Sequence, residues 1–384
     1  NNNITQEGIL KVQNVNINAN ISNNGAKTLI ENSSMNNVDI SYSTSGSTYE
    51  AQIIGSTANG TIIARNSGNV LIKDSTTKQI ENAGTGTIEI ENCTVNEKLY
   101  NSSTGTIKIS EVGTTTITGQ YYGIDNYGAG TILIPGGNVT ITAKEPGTSS
   151  YVSYGIRNSN AGTIVIGTKG GTPSTTAPRI KGGKYGIYNT NSNSQINFYD
   201  GIIIGKTDQA IYGKINEIEE GYSIVLNNVD STQEATLQRL SILKTLKTNI
   251  NSANLSGIEY TTSEDGNYYE FYSIQDAANA STNNTNTEFI AIRDISIAAN
   301  FATQTIPANK NITIDLAGNK LDSSKEQAIV NKGKLTFVDS SAENTEDKTV
   351  GILVNEKYIG AALFQKTITD AEFKRKRNYG EEEQ

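Results

Sequence analysis

An asparagine followed by a short alternation of apolar and polar residues is the phrase this chain repeats. It reads IENAGTGTIEI at Ile80–Ile90, LYNSSTGTIKI at Leu99–Ile109, GIDNYGAGTILI at Gly123–Ile134 and GIRNSNAGTIVI at Gly155–Ile166. YGIYNTNSNSQINF begins at Tyr185, and degenerate copies lie at Leu29–Ile40, Ala64–Ile72 and Ala328–Asp339. The common frame is an apolar residue, one variable residue, asparagine, a few small residues, then a short strand of alternating Ile or Val. Alternation at period two predicts strands that bury one face.

Asn66, Asn82, Asn101, Asn126, Asn158 and Asn189 lie 16, 19, 25, 32 and 31 residues apart. Paired-helix repeats keep a fixed length. A spacing that stretches by loop lengths fits coils that tolerate insertions. The predicted fold is all-β: a right-handed parallel β-helix whose short strands pair with the coils above and below at ~4.8 Å. Ile88, Ile90, Ile107 and Ile109 then face inward, and Glu89 and Lys108 outward. Asparagine tolerates left-handed backbone at a bend and hydrogen-bonds amide to amide between stacked coils. Asn66, Asn82, Asn101, Asn126, Asn158, Asn189 and Asn331 are therefore expected to form a structural ladder. An antiparallel meander competes, but Asn-Gly hairpin turns between strands are scarce.

Three segments follow. Residues 1–228 form the β-helix, in about eight to ten coils. Residues 229–257 read as a linker with a short helix: Leu237, Leu240, Leu243 and Leu246 are three apart, and Asp230 or Ser231 would cap it with Glu234 in the first turn. Residues 258–384 begin a second β-helix unit. Its helical cap starts at Ser273, with Asp276 three residues on and Ile274, Ala277 and Ala278 facing inward. Strand patterns follow at 289–295, 303–306 and 311–316, and a short helix ahead of the first coils covers the open end of a solenoid. The chain ends in a charged tail, residues 361–384, containing KRKR at Lys374–Arg377 and then EEEQ.

YSIQDAANA (272–280), TIPANKNITIDLAGNKLD (305–322) and AIVNKGKLTFVDS (328–340) resemble the opening of pectin-lyase-like β-helix domains in large surface proteins of Gram-positive bacteria. The resemblance extends as a pattern over most of 55–215 and 255–340. It implies an exported protein, often anchored to the cell wall, acting as an adhesin or stalk. No sorting signal or anchoring repeat accompanies it in the sequence.

The net charge of −8 argues against nucleic acid, whose phosphates need a basic face. No apolar run approaches the ~20 residues of a membrane span. The first residues, NNNITQEGIL, lack the basic start and apolar core of a signal peptide. An extracellular or cell-surface location is expected, with any signal removed or outside this sequence. Cys93 is the sole cysteine, so no intrachain disulfide forms. Its neighbours IEIENCTV alternate like a strand, which suits a small buried residue rather than a reactive thiol.

Many parallel β-helices cleave acidic polysaccharides, a chemistry that needs catalytic side chains on one face. The chain has no histidine, which removes Ser–His and Cys–His nucleophiles and most zinc sites. A glycosidase needs two carboxylates on one face. Asp125 is an outward candidate, but the matching positions are Arg157 and Tyr188. RIK at Arg179–Lys181 lacks acidic companions, GTKGG at Gly167–Gly171 lacks phosphate-loop spacing, and Asp200, Asp208 and Asp230 are scattered. No catalytic residue, metal ligand or cofactor is expected. Tyr121, Tyr122, Tyr151, Tyr154, Tyr185 and Tyr188 recur near the bend. Tyr122, Tyr154, Tyr185 and Tyr188 are candidates for stacking on glycan rings, against the alternative of stacking on one another between coils. Insertions at Lys144–Ser153 and Thr168–Ala177 are natural contact loops. The expected function is structural or adhesive, with a host or cell-wall glycan or protein as ligand. The alternatives are a polysaccharide-binding or -degrading enzyme, lyase, glycosidase or tailspike-like, and a fibre subunit that associates head to tail.

Overall fold

The computed structural model describes residues 3–340 apart from 7, 25–26, 42–48, 66, 145–151, 207–208, 298–302 and 324–327, together with Leu353–Asn355. The chain forms two compact units, Asn1–Gln238 and Arg239–Gln384.

The first unit is a parallel β-helix. Ten strands from Ile9–Gln13 to Glu217–Ile218 make one sheet in which sequence order and neighbour order coincide, one strand per coil. A 17-stranded sheet holds the remaining strands of each coil. The register is a stack of like on like: Ile88 pairs with Ile107, Ile107 with Ile132, Ile132 with Ile164, and Ile164 with Ile196. These isoleucines are all buried, while Glu89 and Lys108 between them form an ion pair on the outside. The period-two alternation therefore does what it predicts, and each buried isoleucine contributes about 1.5–3 kcal/mol.

Insertions favour particular corners. Between Leu99 and Ile107, Ile124 and Ile132, and Ile156 and Ile164 the separation is identical, so in these coils the corner holding the asparagine keeps one length. The equivalent separation is one residue longer from Ile187 to Ile196 and longer again from Val38 to Ala51. Between Val95 and Leu99, Ile117 and Ile124, and Ile141 and Ile156 it grows steadily. The stretching repeat length seen in the sequence is loop inserted there and at the third corner, which carries 167–178.

At the constant corner the asparagine side chains are buried. Asn82, Asn101, Asn126 and Asn158 each donate from Nδ2 to the carbonyl four residues on, of Gly86, Gly105, Gly130 and Gly162, at 3.0 Å. Each of these carbonyls also accepts from the backbone amide of the next coil, Thr106, Thr131, Thr163 or Gln195, so the asparagine amide supplies its second donor and ties the two ends of the bend together. A true ladder joins three of them: Asn101 Nδ2 donates to Asn126 Oδ1, and Asn126 Nδ2 to Asn158 Oδ1, both at 3.0 Å. Below Asn101 it stops, because Asn82 spends Nδ2 on the carbonyls of Gly86 and Thr106; Asn101 Oδ1 is left without a partner. The glycine of each GTI phrase follows from the same packing. A Cβ on Gly130 would lie 2.4 Å from Asn101 Nδ2, and one on Gly162 2.2 Å from Asn126 Nδ2.

Three members of the expected ladder differ. Asn66 lies outside the described residues, and the residue in register with Asn82 is Ala64. Asn189 turns to Lys214 and Ser194, because Ser194 stands where the other coils have glycine. Asn331 is exposed, belongs to the second unit, and accepts only from Gly333 in its own turn. Asn23 is an unanticipated member. It is buried and donates to Lys27 O at 2.8 Å and to Thr28 Oγ1.

A second column runs along the next corner. Asn32, Gly55, Asp74 and Asn92 have positive φ, and each is followed by a buried Ser33, Ser56, Ser75 or Cys93. Each of these side chains donates back to the carbonyl two residues earlier, and the Ser33 and Ser56 amides donate to the hydroxyl of the next coil. Cys93 therefore takes a serine's place in a hydrogen-bonded file, and burial pushes its thiol up to about 11.

Residues 229–257 are not a helix. Tyr222–Val229 and Thr232–Arg239 are strands, the latter antiparallel to Ile202–Lys206. Asp230, expected as a helix cap, has φ 53° in the turn between them. The leucine spacing of three was the weaker signal. Gln233, Ala235 and Leu237 alternate at period two and are the buried side. Leu243–Leu246 is a further strand and only two short 3₁₀ turns follow, Lys247–Asn249 and Ser252–Leu255.

In the second unit the helix Ile274–Ala280 is capped as expected: Ser273 Oγ accepts from the Asp276 amide at 3.0 Å. Ile274, Ala277, Ala278 and Ala280 are buried. Asn286–Ala291, Asn311–Asp315 and Lys334–Val338 then stack in parallel register over a core where Phe271 meets Phe289 edge-on at 5.7 Å. Two further short parallel sheets complete these coils. The tail 361–384 lies outside the described residues.

Asn126→Ala should cost about 1–3 kcal/mol, because it leaves Asn158 Oδ1 without its donor in the core, while Gly130 O keeps the Thr163 amide. Asn331→Ala should stay within about 0.5 kcal/mol of the parent. Denaturant midpoints of the two variants check the contrast. Cys93→Ser should fall within about 1 kcal/mol of the parent, and the native thiol should label with maleimide only after unfolding.

Candidate recognition face

The tyrosines of the repeated phrase gather on the outer side of the 17-stranded sheet. Two features of each strand start place them there. Tyr122, Tyr154 and Tyr185 are in register, and Asp125, Arg157, Tyr188 and Tyr212 form the next file along the same strands. Three residues apart in a regular strand would put these files on opposite faces. The glycine between them changes that. A Cβ on Gly123 would lie 2.5 Å from the core atom Ile141 Cγ2, and Gly155 and Gly186 press likewise on Ile180 and Ile203. Glycine and the following isoleucine both turn inward, so tyrosine and the residue after isoleucine share the outside.

The rings then stack on one another. Tyr122 and Tyr154 have centroids 5.7 Å apart at 11°, and Tyr154 and Tyr185 5.9 Å apart at 7°. Tyr188 lies 4.4 Å from Tyr154, and Tyr212 lies 4.9 Å from Tyr188. Cations cover other faces: the Arg157 guanidinium sits 4.1 Å above Tyr122, and Lys184 Nζ 4.8 Å from Tyr185. Burial raises the Tyr154 phenol above its ordinary value. The hydroxyls of Tyr154, Tyr185, Tyr188 and Tyr212 have no hydrogen-bond partner among the described residues. Tyr122, Tyr154, Tyr185 and Tyr188, the four candidates for glycan stacking, are thus together, with ring faces turned toward each other rather than left free. Tyr121 is half-buried beside them, and Tyr151 lies outside the described residues.

Asp125, the outward carboxylate of the repeated phrase, is buried beneath Arg157. Arg157 donates from Nε at 2.8 Å and from Nη2 at 2.7 Å to its two oxygens, and from Nη1 to Tyr122 Oη at 3.1 Å. This fork is a saturated structural pair and offers no free carboxylate. Tyr212 was not anticipated. AIYGKI at Ala210–Ile215 is a worn copy of the same phrase, which is the signal that marks it. Lys98 over Tyr100, at 4.2 Å, extends the face toward earlier coils.

The other sequence candidates fall elsewhere. In RIK, Ile180 enters the core and Arg179 and Lys181 stay exposed. In GTKGG, Gly167 and Gly170 take positive φ, Lys169 pairs with Glu217, and the Gly170 amide donates to Glu219 at 2.8 Å. Asp200 accepts from the Ser174 amide, so acid side chains pin the Thr168–Ala177 loop at several points. Asp208 and most of Lys144–Ser153 lie outside the described residues. Among the described residues no group of three His, Cys, Asp or Glu side chains is placed to hold a metal ion. No helix among them is long and apolar enough to cross a membrane.

Arg157→Ala should cost about 2–4 kcal/mol, since it leaves the Asp125 carboxylate buried and unpaired. Lys108→Ala, which breaks the partly exposed pair with Glu89, should cost about 0–1 kcal/mol. Thermal and denaturant unfolding of both variants provide the check. Comparison with family models, curated proteins and solved structures returned no match, so the functional reading rests on the geometry of this face.

Proposed function

We propose that the chain is a non-catalytic, structural and adhesive rod of an exported or cell-surface protein, in keeping with the pectin-lyase-like surface proteins it resembles. The observation that supports this reading is the tyrosine file. Tyrosines recur coil after coil at one outward position, and the hydroxyls of Tyr154, Tyr185 and Tyr188 have no hydrogen-bond partner among the described residues. Aromatic rings with a polar tip suit recognition surfaces, where one part packs and the other hydrogen-bonds. The repeat supplies the rod, and the file supplies a contact surface along its length.

The enzymatic alternative needs paired carboxylates roughly 5–9 Å apart and open to substrate. The carboxylate set into this face, Asp125, is neutralised by Arg157 and buried. Incubation of the purified protein with a panel of acidic and neutral glycans should release no reducing ends or unsaturated products above the buffer blank. Cleavage at enzyme-like rates overturns the proposal.

A further inference from the structure

We infer that the corner beside the tyrosine file binds a linear polyphosphate chain lying along the rod axis. The inference rests on the adhesive reading above and names the chemistry of its ligand. In six consecutive coils the corner between the two strand files carries Lys78, Lys98, Lys144, Lys184 and Lys206; only the coil with Gln120 and Tyr121 lacks a lysine. At ~4.8 Å per coil they span roughly 25 Å. Arg179 and Lys181 stand exposed on the strand beside them. None of these seven cations has an ion-pair partner among the described residues, whereas Lys73, Lys108 and Lys169, elsewhere on the surface, are all paired. Glu97 is the one carboxylate at that corner among the described residues. In sequence Glu145 and Asp208 also fall at this corner, outside the described residues, so seven cations stand against three carboxylates in a chain of net charge −8.

The shape and chemistry of the patch select the ligand. Lysines on five of six successive coils match a linear chain with closely spaced charges. Carboxylates are best held by guanidinium forks, and of the two here Arg157 is already saturated by Asp125, which leaves Arg179 alone. The other six unpaired cations are lysines, point charges that suit tetrahedral phosphate. The unengaged tyrosine hydroxyls add donors to phosphate oxygens. The rings stack on each other, so neither a pyranose nor a nucleobase finds an open face.

The test is fluorescence-anisotropy titration of the full chain with inorganic polyphosphate, polygalacturonate, an oligo-thymidylate of equal charge and inorganic phosphate. Polyphosphate should bind tightest, weaken at least tenfold between 50 and 200 mM salt, and be poorly displaced by inorganic phosphate. The Lys98→Gln/Lys184→Gln/Lys206→Gln variant should lose at least tenfold in affinity. Lys11→Gln/Lys73→Gln/Lys108→Gln, with the same charge change on the other sheet, should lose less than threefold. Circular dichroism confirms that both variants fold. Absent polyphosphate binding, tighter binding of polygalacturonate or oligo-thymidylate, or equal losses in the two variants overturns the inference. The glycan-cleavage assay is separate, so failure here leaves the non-catalytic reading standing and cleavage there leaves this one to its own titration.

Discussion

One buried contact governs this molecule: an asparagine amide held against the backbone of its own bend. A coil that reverses direction inside a solenoid turns carbonyls toward the core, where water cannot reach them. The next coil's amide reaches one side of each such carbonyl, and Asn82, Asn101, Asn126 and Asn158 fill the other with the same bond to the same relative carbonyl. Because the amide fills the space, the next coil must present glycine there, and from Asn82 to Asn158 that pairing holds the corner at one bend length. Rung height and register follow. The repeated GTI phrase records those constraints.

Fixing one corner frees another. Between Val95 and Leu99 the chain needs only a bulge, but by Ile141 and Ile156 a full loop occupies the equivalent place. Tyrosines, lysines and the Asp125–Arg157 fork collect beside that variable corner, where side chains do not pack into the core. The arrangement separates labour within one coil: apolar strands hold the stack, the asparagine corner sets its period, and the variable corner carries chemistry. It also explains why Asp125 differs from its sister positions. Arg157 in the next coil needs an anion directly in register, and only one coil supplies it.

Much of the fold was legible because the inward positions obey period two and the asparagine frame repeats. Asn23 obeys the same frame, with Ile21 two residues before it, and was legible though overlooked. The serine column was equally open to reading: ENSS, IGST, KDST and ENCT put Asn, Gly or Asp before a small polar residue each time, and Cys93 falls into line as the fourth. What could not be read was three-dimensional register. Asn66 sits in a phrase that looks right, but Ala64 takes the ladder position, because it stands as far before Val70 as Asn82 does before Ile88. The leucines from Leu237 to Leu246 suggested a helix because spacing alone does not reveal an antiparallel partner, here Ile202–Lys206. Gly123 and Ile124 both turning inward breaks the alternation on which any prediction of Tyr122's side depends.

That last break decides how the tyrosine face works. With strict alternation Tyr122 and Asp125 would point to opposite sides, and Arg157 could not touch both. Because glycine yields, tyrosines fall into a file whose separation is set by the coil rise, with observed centroid distances of 5.7 and 5.9 Å. Rings so close cover each other's faces, so an aromatic row that looks in sequence like a sugar platform is spent mainly on holding neighbouring coils together. What it leaves outward is hydroxyls, flanked by ammonium groups. The chemistry offered at the surface is therefore hydrogen-bond donation and positive charge rather than ring stacking, and any partner of this face is selected on those terms.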